Sequence, residues 1–433
     1  SMAHMQTPAA IPLRYLQKSS TMGILLVAIS LVGLVGFGYG LTVDPERVWQ
    51  SYVANWLFFT GVAQGAVMFA VATTIVKAKW NWSVRRISLA FVAFLPVSFV
   101  LLLPMVFVLR ADYFPWIEMM EYDYLVQKKS AYLNIPFLAA RSVGGTLLLF
   151  GMSLYFAFLA LRPDQGRARE QGGGDARIRG WVDRLTLGWM GQEAEEERSQ
   201  RILNRISPAI AVVYAAVMSF LIYDWAMTLM PHWFSTLFGG WYFMGSFLCG
   251  VTATALLSVY LRRRDTDVNR AVGSQQLHDL GKLSFAFTAF WAYLFFSQYI
   301  VIWYGKLPWE QSWIIRRSGE VWGGLSLATI ILVFIIPFAG LMGRAPKRTP
   351  AILGTFALIS LVGMWTERYL LVAPSLSAEG PAMVVWQPLV GMMFLGVFLL
   401  SVRWFLSTFP LIQVWQPKPQ PEMLEAEVAV GAD

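Results

Sequence analysis

Ten predominantly apolar stretches follow one another along the chain, at 22-41, 51-76, 87-109, 135-161, 208-230, 239-261, 282-304, 318-341, 351-372 and 383-408. Each has about the 20 residues that a helix needs to cross a hydrocarbon core of about 30 Å. Several contain Pro, such as Pro96 and Pro104 in the third and Pro337 in the eighth. Membrane helices tolerate this because neighbouring groups satisfy the freed backbone. The alternating ten-residue segments of a membrane β-barrel do not occur. The pattern predicts an all-α integral membrane protein of about ten transmembrane helices.

The polar connections set the expected orientation. Residues 77-86 carry Lys77, Lys79, Arg85 and Arg86 with no acid, 262-270 open with Arg262, Arg263 and Arg264, and 342-350 hold Arg344, Lys347 and Arg348. Cytoplasmic loops are enriched in Lys and Arg, so these loops and both termini are expected in the cytoplasm. The alternate connections are poorer in cations: 42-50 has Asp44, Glu46 and Arg47, 231-238 has neither cation nor acid, and 373-382 has only Glu379. Asn134, His232 and Glu379 are therefore expected on the outer face, and Arg85, Arg263 and Arg348 on the inner. The 305-317 loop, with Lys306, Arg316 and Arg317 against Glu310, is the exception.

Composition agrees with a bilayer as solvent. The chain of 433 residues is 57% hydrophobic and 14% charged, with mean hydropathy +0.53, too apolar for a soluble protein of this length. The net charge of +8 follows from the loop bias and contact with anionic lipid headgroups, and does not mark a nucleic-acid partner. The first apolar run is as long as a true span and has no small-residue cleavage site after it, so no cleavable signal peptide is expected. The longest polar stretch, 162-207, includes "DQGRAREQGGGDARIRG" and the acidic run Glu193, Glu195, Glu196 and Glu197. It is expected to be a cytoplasmic surface helix or flexible linker between two membrane halves.

Candidate redox and metal chemistry is sparse. The histidines are His4, His232 and His278, the last two in loops on opposite sides, and do not supply the paired ligands of an intramembrane haem b. Cys249 is the single cysteine, which excludes a disulfide within the chain and any iron-sulfur or zinc site built on several thiolates. It reads as a small packing residue. No Walker A, Rossmann or nucleophile-elbow motif stands in a suitable context. No metal site and no redox centre is expected in this chain.

Weak internal similarity suggests duplication. Sliding the second segment onto the sixth aligns Trp56 with Trp241, Phe58 with Phe243 and Gly65 with Gly250. Placing Gly144-Gly145 on Gly323-Gly324 sets Arg141 over Glu320, and placing Pro231 on Pro374 sets Asp224 over Glu367. The organisation expected is an N-terminal segment 1-50 with the first helix, a first four-helix bundle 51-161 and 208-230, the loop 162-207, a second bundle 239-372, a tenth helix 383-408 and a cytoplasmic tail 409-433.

The stretches "YDWAMTLMPHWFSTLFGGWYFMGSFLCG" at 223-250, "HDLGKLSFAFTAFWAYLFFSQYIVIWYGKLPWE" at 278-310 and "KKSAYLNIPF" at 128-137 resemble the second NrfD-like membrane subunit of bacterial alternative complex III. The likeness runs from about residue 50 to 330 and is weak in 162-207 and the tail. It implies a multi-pass subunit of the bacterial inner membrane with two four-helix bundles and two peripheral helices, part of a quinol:electron acceptor oxidoreductase in a respiratory or photosynthetic chain. The implied partners are a multihaem cytochrome c, which carries haem c, an iron-sulfur protein with its clusters, and a first NrfD-like subunit, with quinone or menaquinone in the complex. The family's quinol site uses ionisable side chains, commonly a histidine, in the first bundle. The third segment here, 87-109, has neither His nor acid, so quinone binding is left as a property of the complex without assigned residues in this chain.

A carboxylate near the bilayer centre costs roughly 2.5–3.5 kcal/mol on insertion scales and needs a partner or a wet cavity. Asp224 and Arg141 lie at similar depth, about 9 Å from their helix ends at 1.5 Å per residue. They form an expected pair, for packing or as part of a proton or ion half-channel. The repeat also suggests Glu320 with Arg368, leaving Glu367 over as a titrating proton carrier. Tyr214, Ser219, Tyr223, Ser297, Gln298 and Tyr299 are a possible polar relay, or interhelical glue. Two other readings stand beside the subunit: a stand-alone secondary transporter, which the repeat, broken helices and buried charges would suit, and a purely structural scaffold.

Overall fold

The computed structural model describes residues 12–109, 113–172, 175–381 and 385–416. His4 and most of the expected tail, 417–433, lie outside the described residues. Among those described, ten helices are long and apolar enough to cross a membrane: α1 Ser20–Val43, α2 Pro45–Ile75, α3 Trp82–Leu109, α4 Ile135–Glu170, α5 Gln192–Leu229, α6 Leu237–Arg264, α7 Ser274–Gly305, α8 Gly323–Gly340, α9 Pro350–Leu376 and α10 Trp386–Thr408. Each corresponds to one expected segment. The chain is an all-α, multi-pass membrane protein.

Helix starts follow local chemistry. Ser19 accepts from the Met22 N–H to cap α1, Asp44 caps α2 ahead of Pro45, and Asn134 caps α4 ahead of Pro136. Breaks occur inside the spans. The third helix passes through a 3-10 turn at Ala90–Phe94, between its N-terminal turns and Pro96, and ends in a π turn at Met105–Leu109. Further π turns lie at Ala140–Gly144 in α4 and Ile331–Ile335 in α8.

The polar connection is shorter than expected. Helix α4 continues to Glu170, a short helix covers Ala176–Leu185, and α5 begins at Gln192. The linker is tied to the bundle where the two meet. Arg162 forks onto Glu195 at 2.7 and 2.8 Å and also donates to the carbonyls of Leu185, Leu187 and Gly188. These charges serve each other, which polar composition alone cannot distinguish from solvated charge.

Helices α2 and α6 form the seam of the molecule and are the most buried of the ten spans. They cross at small residues. A Cβ added to Gly65 would lie 1.9 Å from Ser246 O, and one added to Gly250 would lie 2.1 Å from Gly65 C. Gly61 likewise faces Ser246, and Tyr242 Oη donates to Leu57 O at 3.0 Å. The contacts Gly61–Ser246, Gly65–Gly250 and Leu57–Tyr242 join positions that the offset matching Gly65 to Gly250 also matches, while Gly65 in addition meets Ser246 one turn away. Helices α3 and α5 pack on α2, with α4 against α5, and α7 and α9 pack on α6, with α8 against α9; α5 also meets α6, and α9 also meets α2. Outside both, α1 packs chiefly on α10, where Gly33 meets the Met393 backbone and Gly396 meets Ser30.

The two ends of the bundle are chemically distinct. At one, here the basic end, Arg14 pairs with Asp267 and Arg348 reaches Gln275. At the opposite end Arg47 pairs with Glu379, the Trp386 indole donates to Asp44, and the Trp233 indole donates to Glu310 O. Connections expected on one face of the membrane thus meet one another at one end.

Candidate functional site

Asp224 sits in the last turn of the regular part of α5, 1% exposed, and Arg141 lies in the π turn of α4. A π turn adds one residue to the helical circuit and re-aims the side chains that follow. Here Arg141 Nε and Nη2 each donate to Asp224 at 2.9 Å, so both carboxylate oxygens are held in a planar fork. The third guanidinium nitrogen donates to Tyr132 O at 3.1 Å, and the Tyr132 and Phe137 rings cover the cation at 3.8 and 4.2 Å. The neighbours are tied as well: the Trp225 indole donates to Ser142 Oγ and Tyr113 donates to Trp225 O.

The second charge pair is built differently. Glu367 and Arg368 are consecutive on α9, both buried, with Arg368 Nη1 2.5 Å from Glu367 Oε2. Arg368 faces α6, where its Nη2 donates to Tyr242 O and Ser246 Oγ at 3.3 Å and its guanidinium covers the Tyr242 ring at 4.4 Å. The pair therefore abuts the α2–α6 seam. The other carboxylate oxygen, Glu367 Oε1, has no hydrogen-bond partner among the described residues, although the Trp291 indole lies beside the carboxylate. Glu367 is nine residues from the end of α9, about 14 Å along the helix, near the bilayer centre. Trp291 also lines an apolar cavity of about 420 Å³ between α7 and α8.

The expected pairing of Glu320 with Arg368 does not form. Glu320 is exposed in the turn between the helix Pro308–Ser318 and α8, which begins only at Gly323, while Arg368 turns toward α6. Glu367 is accordingly not left over but is the partner of its own neighbour.

The polar side chains divide. Tyr223 donates to Thr236 O at 2.9 Å, Gln298 accepts from Ser235 at 3.0 Å, and Ser219 and Tyr223 both face Gly239, so these three gather at the start of α6. Tyr214 is separate and donates to Phe243 O at 2.5 Å. Tyr299 is exposed, and Ser297 makes no side-chain hydrogen bond among the described residues. Glue describes the bonds of Tyr214, Ser219 and Tyr223, since each hydroxyl donates to a backbone carbonyl. Among the described residues no continuous hydrogen-bonded chain joins all six.

Other charged groups were hidden in loops. Arg86 and Asp164 are fully buried and bonded at 2.7 Å, and Asp164 also accepts the backbone N–H groups of Val414 and Trp415. Arg86 resembles any cation of a basic loop, so no signal in the sequence singles it out. At the opposite end Asp123 caps a short helix and lies 2.8 Å from His232 Nε2. Desolvation pushes its carboxyl up, but the N–H groups of Val126 and Leu125 and the His232 imidazole hold it below the usual carboxylate range. Cys249 is buried and free of any disulfide. Among the described residues no group of three or more His, Cys, Asp or Glu could hold a metal ion.

Fold and site define the class: a multi-pass α-helical membrane protein whose two helix bundles each enclose an arginine–carboxylate pair. No protein-family model matches the chain, and no curated protein matches it.

Proposed function

We propose that this chain is an NrfD-like membrane subunit of a quinol-oxidising complex of the alternative complex III type, which anchors the complex and moves protons through its helix bundles. In this reading the haem c and iron-sulfur clusters belong to a multihaem cytochrome c and an iron-sulfur protein, a first NrfD-like subunit lies alongside, and quinone or menaquinone is the electron donor. The complex sits in a bacterial cytoplasmic membrane with both termini of this chain in the cytoplasm. The wording of residues 223-250, 278-310 and 128-137 supports the family, and the α2–α6 seam supports the duplication.

The observation that carries the proton role is Glu367, a buried carboxylate near the bilayer centre with one oxygen bonded to Arg368 and the other, among the described residues, faced only by the Trp291 indole and without a geometric hydrogen bond. Such a group can take a proton on Oε1 while Oε2 keeps its contact. Asp224 cannot do so without breaking one arm of the Arg141 fork. Glu367 is thus the proton carrier and Asp224 a fixed structural partner. A scaffold alone would not require the second oxygen to be unbonded.

The test is purification of the native assembly in mild detergent, followed by reconstitution in proteoliposomes. Glu367→Gln and Asp224→Asn each remove the carboxylate of a buried arginine pair, which costs about 3–5 kcal/mol, so both are expected to cut the yield of intact complex. In the complex that does assemble, Glu367→Gln is expected to lower the proton-to-electron ratio and Asp224→Asn to leave it unchanged. The reverse pattern of ratios would sink the assignment of roles, and a preparation without partner haem would sink the family reading.

A further inference from the structure

An open cleft of about 1170 Å³ lies between the α1–α10 pair and helices α2, α6 and α9. Its wall is apolar, formed by residues such as Phe59, Leu257, Leu361 and Leu395. It meets charge at the basic end, where Arg14, Lys18, Arg264 and Arg403 line the mouth against one carboxylate, Asp265. That carboxylate is engaged, accepting the N–H groups of Asp267 and Val268. Arg14 is paired with Asp267, and Arg403 donates to Ser19 O. Lys18 and Arg264 are exposed and form no ion pair among the described residues. From Pro388 to Arg403 the wall follows α10 for about 22 Å, more than one leaflet of a hydrocarbon core about 30 Å thick.

We propose that this cleft binds an anionic glycerophospholipid, with its phosphate among Lys18, Arg264 and Arg403 and its acyl chains along the apolar wall. Ammonium and guanidinium groups take phosphate oxygens through charge-assisted hydrogen bonds, and basic pockets between membrane helices hold acidic headgroups. A zwitterionic lipid would bring its own cation into a cluster that already has an excess of positive charge. A quinone would fill the apolar wall but leave the mouth without counter-charge.

The full chain, purified and delipidated in a neutral detergent, can be titrated with phosphatidylglycerol, with phosphatidylcholine of the same acyl chains, and with menaquinone, counting bound molecules by native mass spectrometry. Phosphatidylglycerol is expected to bind about tenfold or more tighter than phosphatidylcholine. The double variant Lys18→Gln/Arg264→Gln, which changes only exposed side chains, is expected to lose that preference. Leu395→Trp, which narrows the wall and keeps the cations, is expected to weaken both lipids together. Equal binding of the two lipids, a preference that survives the double variant, or displacement of phosphatidylglycerol by menaquinone would each overturn the proposal.

Discussion

Arg317 explains the one connection whose cations run against the loop bias. It is buried, stacked on the Trp313 ring at 3.8 Å, and its Nε donates to Leu370 O at 2.8 Å. Pro374 lies four residues beyond Leu370 inside α9 and has no N–H to offer that carbonyl, so Arg317 supplies the missing donor. Its Nη2 also reaches Leu371 O and Ser375 Oγ, and Arg316 donates to Ser375 O. The two arginines thus cap a helix end rather than mark a side of the membrane. Replacing Arg317 with Ala should destabilise the protein by about 2–3 kcal/mol, the worth of a charged hydrogen bond and the cost of a bare carbonyl. Adding Pro374→Ala should recover part of that loss by restoring the amide donor. Thermal melts of the two single variants and the double variant form the cycle, and strict additivity would reject the capping role.

At the scale of elements, the α2–α6 crossing decides how the bundles sit together. The apolar transfer that drives soluble packing is absent between helices in lipid, so close backbone approach at small residues is what joins them. Gly61 and Gly65 on one helix, and Ser246 and Gly250 on the other, make that approach. Gly65→Val should cost at least about 1–3 kcal/mol, since its Cβ would overlap Ser246 O and the helices would have to part. Gly38→Ala in α1, where an added Cβ meets nothing within 4 Å, should be neutral or slightly stabilising through helix propensity. Melting temperature and the monodisperse fraction after gel filtration measure both. A tolerated Gly65→Val would show that the seam is looser than its geometry.

For the whole molecule, the prediction concerns sidedness. Asn134, His232 and Glu379 belong to connections at one end and Arg263 and Arg348 to connections at the other, and the ion pairs Arg47–Glu379 and Arg14–Asp267 each stay within an end. Single cysteines at these positions should label from opposite sides of sealed vesicles with an impermeant thiol reagent. The native Cys249 is buried and should stay silent. Arg85, expected on the inner face, is a poor reporter because it is buried against Ala78 O and Asn81. Labelling of His232→Cys and Arg263→Cys from the same side would refute the topology.

The sequence by itself determined the all-α membrane class and the ten spans, because a segment that must cross lipid shows it in a continuous apolar run. It also predicted the Arg141–Asp224 pair, since an isolated charge at such a depth needs a partner and Arg141 lay at the matching level. Tertiary structure alone decided the partner of Arg368. Register along α9 turns Arg368 toward α6 and puts Glu367 beside it, while Gly319 and the late start of α8 leave Glu320 outside the bundle. It alone drew Arg86 to Asp164 and Arg162 to Glu195, and formed the cleft mouth from the end of α6, from α10 and from the N-terminal segment. Hydropathy is a property of each segment read singly, whereas the partner of a charge depends on which faces of separate helices meet, and linear order does not carry that.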